Sequence, residues 1–504
     1  MTSRHPLGAV LTALVAAVAL LLSSCSPQEG EDASISVGYT AELDGLDPST
    51  VEGAATSMVF LYNVYETLVR ADHEGGIVPL LATDWEVSDD RLTYTFHLEP
   101  DAKFASGEDL NADAVVTSLN YSRGADTTHG TVRELLPRQH SVVEDVQAVD
   151  EHTVEITLNE PSNMWLFHMT GPAGIIYDPT GMDNLDTQPA GSGPYTFLEW
   201  DSGSHLTLQR NDEYWGEPAG VGEVVWRRYG DPNAMTSAML SGQLDIISNL
   251  TTPESLPQFD DESRYKVLAG YSNGEVVLGY NHQNEALQDV RVRQAITHAI
   301  NRQGLMDSIW GGQGTLIGSM VPPQDPWYTD LSETYPYDHE KAKALLAEAG
   351  YESGLSLRLR VPILPYATTG GRYVASELQA VGINVQLEEV EWATWLEEIF
   401  GNGDYDMTIV AHVEPRDMDM FANPESYWHY DNPEYQELLI EADRGTSEEQ
   451  VELLRQASEL LTQDAAATWL FLLPNLPITT AEISGIEPNS TNLSFDLTKV
   501  RIDQ

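Results

Sequence analysis

One stretch, Leu355 to Val413, leaves this chain little choice of fold. Leu355, Leu357, Leu359 and Val361 alternate with polar residues, the period of a strand. A helical segment runs on towards Ala380, Gly382 breaks it, and Ile383, Val385 and Leu387 alternate again. Strand, helix and strand of this length make a right-handed crossover with parallel strands. A second helix is expected over Trp392 to Phe400, and Asp404 to Phe421 then opens as a further strand. Met407, Ile409 and Ala411 fall on one of its faces, Thr408, Val410 and His412 on the other, which suits a sheet covered on both sides. Pro415 ends it, having no N–H for a ladder. Glu414, Arg416, Asp417 and Asp419 therefore gather just past the strand's C-terminal end, where open α/β sheets hold small ligands. A solvated acidic loop is the alternative.

With 504 residues, 41% of them hydrophobic, the chain is long enough for two or three globular domains. Lys and Arg number 25 against 79 acids, a formal charge of −54. That balance makes nucleic acid and anionic membrane surfaces poor partners. It suits either a salty or alkaline exterior or simply an acidic secreted protein.

A single cysteine excludes an internal disulfide. Arg4, an apolar run from Leu7 to Leu22, and Leu22-Ser23-Ser24-Cys25 read as a secretory signal, residues 1–25, that ends in a motif resembling the lipobox of bacterial lipoproteins. That resemblance implies a diacylated Cys25 as residue one, held at the outer face of the cell membrane by its lipid alone. Residues 26–33 read as a flexible tether.

Further along, Ile35-Ser36-Val37-Gly38-Tyr39 alternates as a strand, and Ser57 to Leu68 has helical spacing at Val59, Tyr62, Asn63 and Glu66. Trp85 and Val87, an Asp-Asp turn, then Leu92, Tyr94, Phe96 and Leu98 read as a hairpin with one apolar face. Asp289 to Ile296 opens a helix with Ile296, Ala299 and Ile300 along one side. Asp338 caps another, with Ala342, Leu345, Leu346 and Ala349 inward and Gly350 as its stop.

The segment Ile77 to Leu98, continuing through Lys103-Phe104-Ala105-Ser106-Gly107-Glu108 and Asn111-Ala112-Asp113-Ala114-Val115, resembles the signature of the family 5 solute-binding proteins of bacterial ABC importers, the peptide- and nickel-binding group. The family's Gly-x-Gly-Pro-Tyr turn is matched by Gly191-Ser192-Gly193-Pro194-Tyr195, and Arg210 to Gly216, Ser241 to Asp245 and Leu278 to Asn281 match as well. Glu99 and Asp101 depart from it, standing where the family has a basic residue and a glycine. The resemblance implies an α/β fold of the two-lobed periplasmic-binding-protein type II kind, with a large extra subdomain in the first lobe and a hinge between lobes. The expected limits are 34–55, 190–281 and 475–504 for lobe 1, 56–189 for the insertion and 282–474 for lobe 2, with hinge passages near Asn281 and Pro474.

The family also implies a monomeric binder, not an enzyme, that captures peptides and hands them to the importer's permease and ATPase subunits without a cofactor. In peptide-binding members an acidic residue in the loop after the corresponding strand pairs with the ligand's α-ammonium group. Counting back from Phe421, that position is Glu414. Trp392 matches a tryptophan lining the family's cleft, and Tyr39 is placed to reach it from lobe 1 or to sit in the core. Ala411 stands where a tryptophan is common, and Leu364 replaces an arginine that dipeptide binders use for the peptide carboxylate. A longer peptide with its carboxyl end free, or met by Arg372 or Arg416, fits better. Within the same fold a nickel chelate or haem-type ligand held by His412, Glu414 and His429 stays open, as does a signalling receptor.

Among enzymes, no His-Glu-x-x-His and no P-loop is present. Asp417-x-Asp419 lacks the glycine and distal glutamate of a calcium loop. A carboxylate-pair hydrolase is the one catalytic alternative that 79 acids leave open.

Overall fold

The computed structural model describes residues 33–51 and 53–503. The signal, Cys25 and nearly all of the tether lie outside them. Three sheets organise the chain. The first lobe holds seven strands in the order Tyr195–Asp201, His205–Arg210, Glu223–Arg228, Ser34–Tyr39, Ile246–Ile247, Ile478–Thr480, Tyr265–Val267. The second lobe holds five, in the order Ile383–Val390, Leu355–Pro362, Met407–His412, Gly270–Tyr280, Ala467–Asn475. Between the first lobe's opening strand and its Tyr195–Asp201 strand, an extra unit carries a four-stranded antiparallel sheet, Ala82–Val87, Thr93–Leu98, Thr153–Leu158, Val143–Asp150.

The crossover read from Leu355 to Val413 is present, with Leu355–Pro362 parallel to both Ile383–Val390 and Met407–His412. Helix Pro365–Ala380 joins the first pair and lays Ala367, Val374 and Leu378 on the sheet. Gly382 turns the chain at φ +94°, in the region that favours glycine. Asp338 caps helix His339–Glu348 by accepting from the Lys341 N–H at 2.9 Å. Met407–His412 is the middle strand, with Met407, Ile409 and Val410 buried and Thr408 fully enclosed.

Four expectations need correction. Gly270–Tyr280, assigned to lobe 1 by the limit at 281, pairs antiparallel with both Met407–His412 and Ala467–Asn475. The lobe-to-lobe passages are therefore 268–269 and 476–477, where the Leu268 N–H donates to the Pro477 carbonyl at 2.9 Å, and not near Asn281. The limit between 55 and 56 cuts helix Ala54–Phe60. That helix stops at Phe60 instead of running to Leu68, because Tyr62 adopts φ +65° and the Asn63 side-chain amide donates to the Val59 carbonyl. The hairpin pairs Trp85 with Phe96 and Val87 with Tyr94; Tyr94, Phe96 and Leu98 are buried and Trp85 packs partly buried beside them, yet Val87 stays exposed. Among the described residues no helix is long and apolar enough to cross a membrane.

Candidate functional site

The loop after Met407–His412 is held by its apolar members. Phe421 is fully buried and stacks on Trp428 at 5.2 Å, and the Tyr435 hydroxyl donates to the Met418 carbonyl. Met418 and Phe421 are thereby fixed inside a 3-10 turn over Asp417–Phe421, with Asp417 and Asp419 in the same turn and Glu414 just before it. Glu414 and Asp419 remain open to water. Nearby protein nonetheless withdraws part of their solvent, which raises both carboxyl pKa values, and the Asp417 charge raises them further. Arg133 opposes the shift at Glu414, and Arg138, on helix Leu135–Gln139, opposes it at Asp419. The loop thus faces two arginines of the extra unit across the seam.

His412 is half-buried with both ring nitrogens engaged: Nδ1 lies 3.1 Å from Asp417 Oδ2 and Nε2 lies 2.7 Å from the Tyr427 hydroxyl. Burial holds the Tyr427 phenol well above its usual pKa, so it stays protonated and can donate to Nε2, leaving the imidazole proton on Nδ1 for Asp417. Behind them, Glu275 sits in register with His412 and is buried, with Oε2 lacking any hydrogen-bond partner. Burial, with Asp417 and Asp325 adding to it, drives its carboxyl well above the ordinary range. Burial likewise pushes Asp325 up to about 6, against the pull of Arg416.

Arg416 takes a left-handed backbone, φ +62°, and crosses the seam. Its Nη2 donates to the Gly75 carbonyl at 2.7 Å, and its guanidinium lies 3.8 Å from the Phe167 ring centre and 4.8 Å from that of Trp327. It joins the lobes where a contact with a ligand carboxylate was expected. Arg372, the other candidate for that role, pairs with Glu389 at 2.6 Å.

Trp392 is 45% exposed and stacks on Trp395 at 5.0 Å with the rings 3° apart. The expected helix there is one α turn, Trp392–Thr394, followed by a π-helical stretch, Trp395–Gly401. Tyr39 is in the core, 3% exposed and edge-on to Trp226, so it does not reach the seam. His412, Glu414 and His429 do not converge, and among the described residues no group of three His, Cys, Asp or Glu is placed to hold a metal ion. A small cavity lined by Thr297, Arg302, Gly318 and Trp469 lies elsewhere in the second lobe; its 10 Å³ suits about one water molecule.

The sequence reading missed Glu275, Asp325, Arg133, Arg138 and Phe167. Only Glu275 carries a local signal, a charge leading into the apolar run Val276-Val277-Leu278.

Comparison with known proteins identifies relatives along most of the chain. Over 468 residues the chain is 27% identical to the dipeptide-binding protein of Escherichia coli K12, covering 84% of this chain and 86% of that one. It is 26% identical over 510 residues to heme-binding protein A of Haemophilus influenzae, covering 90% and 92%. The solved structure of the periplasmic binding protein DppA from Helicobacter pylori, in complex with the peptide STSA, superposes with a TM-score of 0.78 at 23% identity, over 95% of this chain and 99% of that one. The model of the family described as bacterial extracellular solute-binding proteins, family 5 Middle, matches residues 76–435, so the chain belongs to that family of solute-binding proteins.

Proposed function

We propose that this chain captures peptides with a free amino terminus between its lobes and delivers them unaltered to an ABC permease, tethered outside the membrane through lipidated Cys25. The observation that carries the reading is Glu414: a water-accessible carboxyl just past the C-terminal end of the middle strand, whose pKa is raised by partial burial and by the Asp417 charge. A ligand ammonium placed against it gains a charge-assisted hydrogen bond, about 1.5–3 kcal/mol in a partly desolvated site. The dipeptide-binding relative and the peptide-bound structural neighbour support the same ligand class. Arg416 and Arg372 are committed to protein partners, so neither is left to meet the carboxyl end as dipeptide recognition would need.

Calorimetry with free and N-acetylated forms of one tripeptide tests this. Free peptide binds, and Glu414→Gln weakens it at least about tenfold. Equal affinity for the two forms on the wild-type protein refutes the anchor. A tetrapyrrole ligand draws support from the heme-binding relative. Against it, both nitrogens of His412 are already engaged. Haem titration that produces no Soret shift dismisses that reading.

A further inference from the structure

Behind Glu414 the second lobe buries acids that the anchor leaves unused. Glu275 stands opposite His412 in the ladder, is 2% exposed, and its Oε2 has no hydrogen-bond partner. Asp325 is 8% exposed, and the charges of Asp325 and Asp417 both act on Glu275. Next to Asp325, the Gln324 side-chain amide donates to Asn273 Oδ1 at 3.0 Å, in the same strand as Glu275. Gln324 Oε1 is a second buried acceptor without a donor. Gly270–Tyr280, Met407–His412 and the chain between them belong to the second lobe, so these groups stay together however the lobes stand.

Positive charge near them is committed elsewhere. Arg416 donates to the Gly75 carbonyl and lies over the Phe167 and Trp327 rings, acting on Asp325 through its field. His412 is taken by Asp417 and Tyr427. From the extra unit, Arg133 acts on Glu414 and Arg138 on Asp419. Burial holds His168, which feels the Arg416 charge, down to about 4, so it is neutral above about pH 5. A buried carboxylate oxygen with no donor costs more than a neutral acid. Glu275 and Asp325 therefore hold their protons to higher pH than an exposed carboxyl, in line with the upward shift that burial gives both. Asp417 links them to the anchor, because its charge bears on Glu275, Asp325, Glu414 and Asp419 alike. A cation set against Glu414 offsets that charge and favours ionisation of the acids behind it.

We propose that Glu275 and Asp325 form a proton reservoir behind the anchor, from which capture of a cationic ligand at Glu414 expels a proton. The step breaks the O–H bond of one carboxyl and passes the proton to the solvent, with no other bond changed. Proton release on binding means that affinity rises with pH and falls in acid. This rests on the Glu414 reading and adds regulation to it: a ligand held at neutral pH is let go as the surroundings acidify.

The mature protein is titrated with Ala-Ala-Ala and its N-acetylated form by calorimetry at about pH 6, in two buffers of different ionisation enthalpy. The difference between the buffers counts the protons released. Affinity is then followed from about pH 5 to about pH 6.5, where the peptide's own termini keep their charge. With the free peptide about half a proton or more is expected to leave, and affinity to rise about threefold per pH unit. Glu275→Gln/Asp325→Asn, close in shape to the wild type, loses most of that release and still prefers the free amine. If the double variant misfolds, each single variant is expected to lower the release. Release undiminished in these variants assigns the proton to Glu414 or His412 and overturns the reservoir. No release on the wild type, with the free peptide still preferred, overturns it and leaves the Glu414 reading standing. Equal affinity for the two peptides removes the anchor and the coupling together, as does the absence of binding by both.

Discussion

A second set of hydrogen bonds joins the extra unit to the second lobe and sets an expectation for affinity. Asp443, near the end of helix Pro433–Arg444, accepts from the Met164 N–H at 2.7 Å and from the Ser162 hydroxyl at 3.0 Å, so it caps helix Asn163–His168 from the opposite side of the seam. Asn163 Nδ2 donates to the Ala442 and Gly445 carbonyls, each at 2.9 Å, and Arg91 Nη1 donates to the Arg444 carbonyl at 2.9 Å. Arg444 pairs with Glu160 at the rim. In Asp443→Ala two hydrogen bonds to a charged acceptor disappear. Each is worth about 1.5–3 kcal/mol when dry, and half-burial reduces the pair to about 2 kcal/mol. If these bonds exist only when the lobes are closed, that loss shifts the closing equilibrium about thirtyfold. Every ligand should then weaken by one common factor, up to about thirtyfold, because the change touches no ligand contact. Asp443→Asn, which still accepts from Met164, should recover part of it. Calorimetry over several peptides, with small-angle scattering of the unliganded protein, checks this. A wild type that is open without ligand, combined with unchanged affinities in Asp443→Ala, would refute the reasoning; so would a loss confined to some peptides.

Two further expectations concern stability. Glu66 is buried and accepts from the Tyr214 hydroxyl, the Ser192 hydroxyl and the Trp215 indole N–H, and burial pushes its carboxyl up to about 7. Between the unfolded value of about 4.5 and that figure the native state keeps a proton that the unfolded chain has released, so stability falls as pH rises, by about 3 kcal/mol across the window. Urea unfolding at about pH 5 and about pH 8 should show Glu66→Gln flattening this part of the slope; an unchanged slope excludes Glu66 as its source. Gly279 lies in the Gly270–Tyr280 strand, where an added Cβ would meet Trp428 Cζ3 at 1.6 Å. Gly279→Ala should cost about 3 kcal/mol or more and lower the melting midpoint by several degrees, whereas an unaltered melt would mean that Trp428 moves freely.

The elements were legible where a short stretch carries its own instruction. The alternation from Leu355 to Val361, the cap at Asp338 and the turns at Gly350 and Gly382 are decided by a few neighbouring residues, and all of them appear. Ser57 to Leu68 misled because its helical spacing runs across Tyr62, whose left-handed turn depends on packing that the pattern does not contain. The position of Glu414 past the end of the middle strand followed from Pro415 and the strand before it. Its surroundings did not. Arg133, Arg138, Phe167 and Gly75 lie hundreds of residues away in sequence and meet the loop only because the extra unit folds back over the second lobe. Packing between distant segments likewise buries Tyr39 against Trp226 and draws Arg416 into the seam. Local periodicity chooses strands and helices because backbone sterics and hydrogen bonding act over a few residues. Which charges face one another depends on how sheets separated by long stretches of chain come to rest, and only the folded structure decides that.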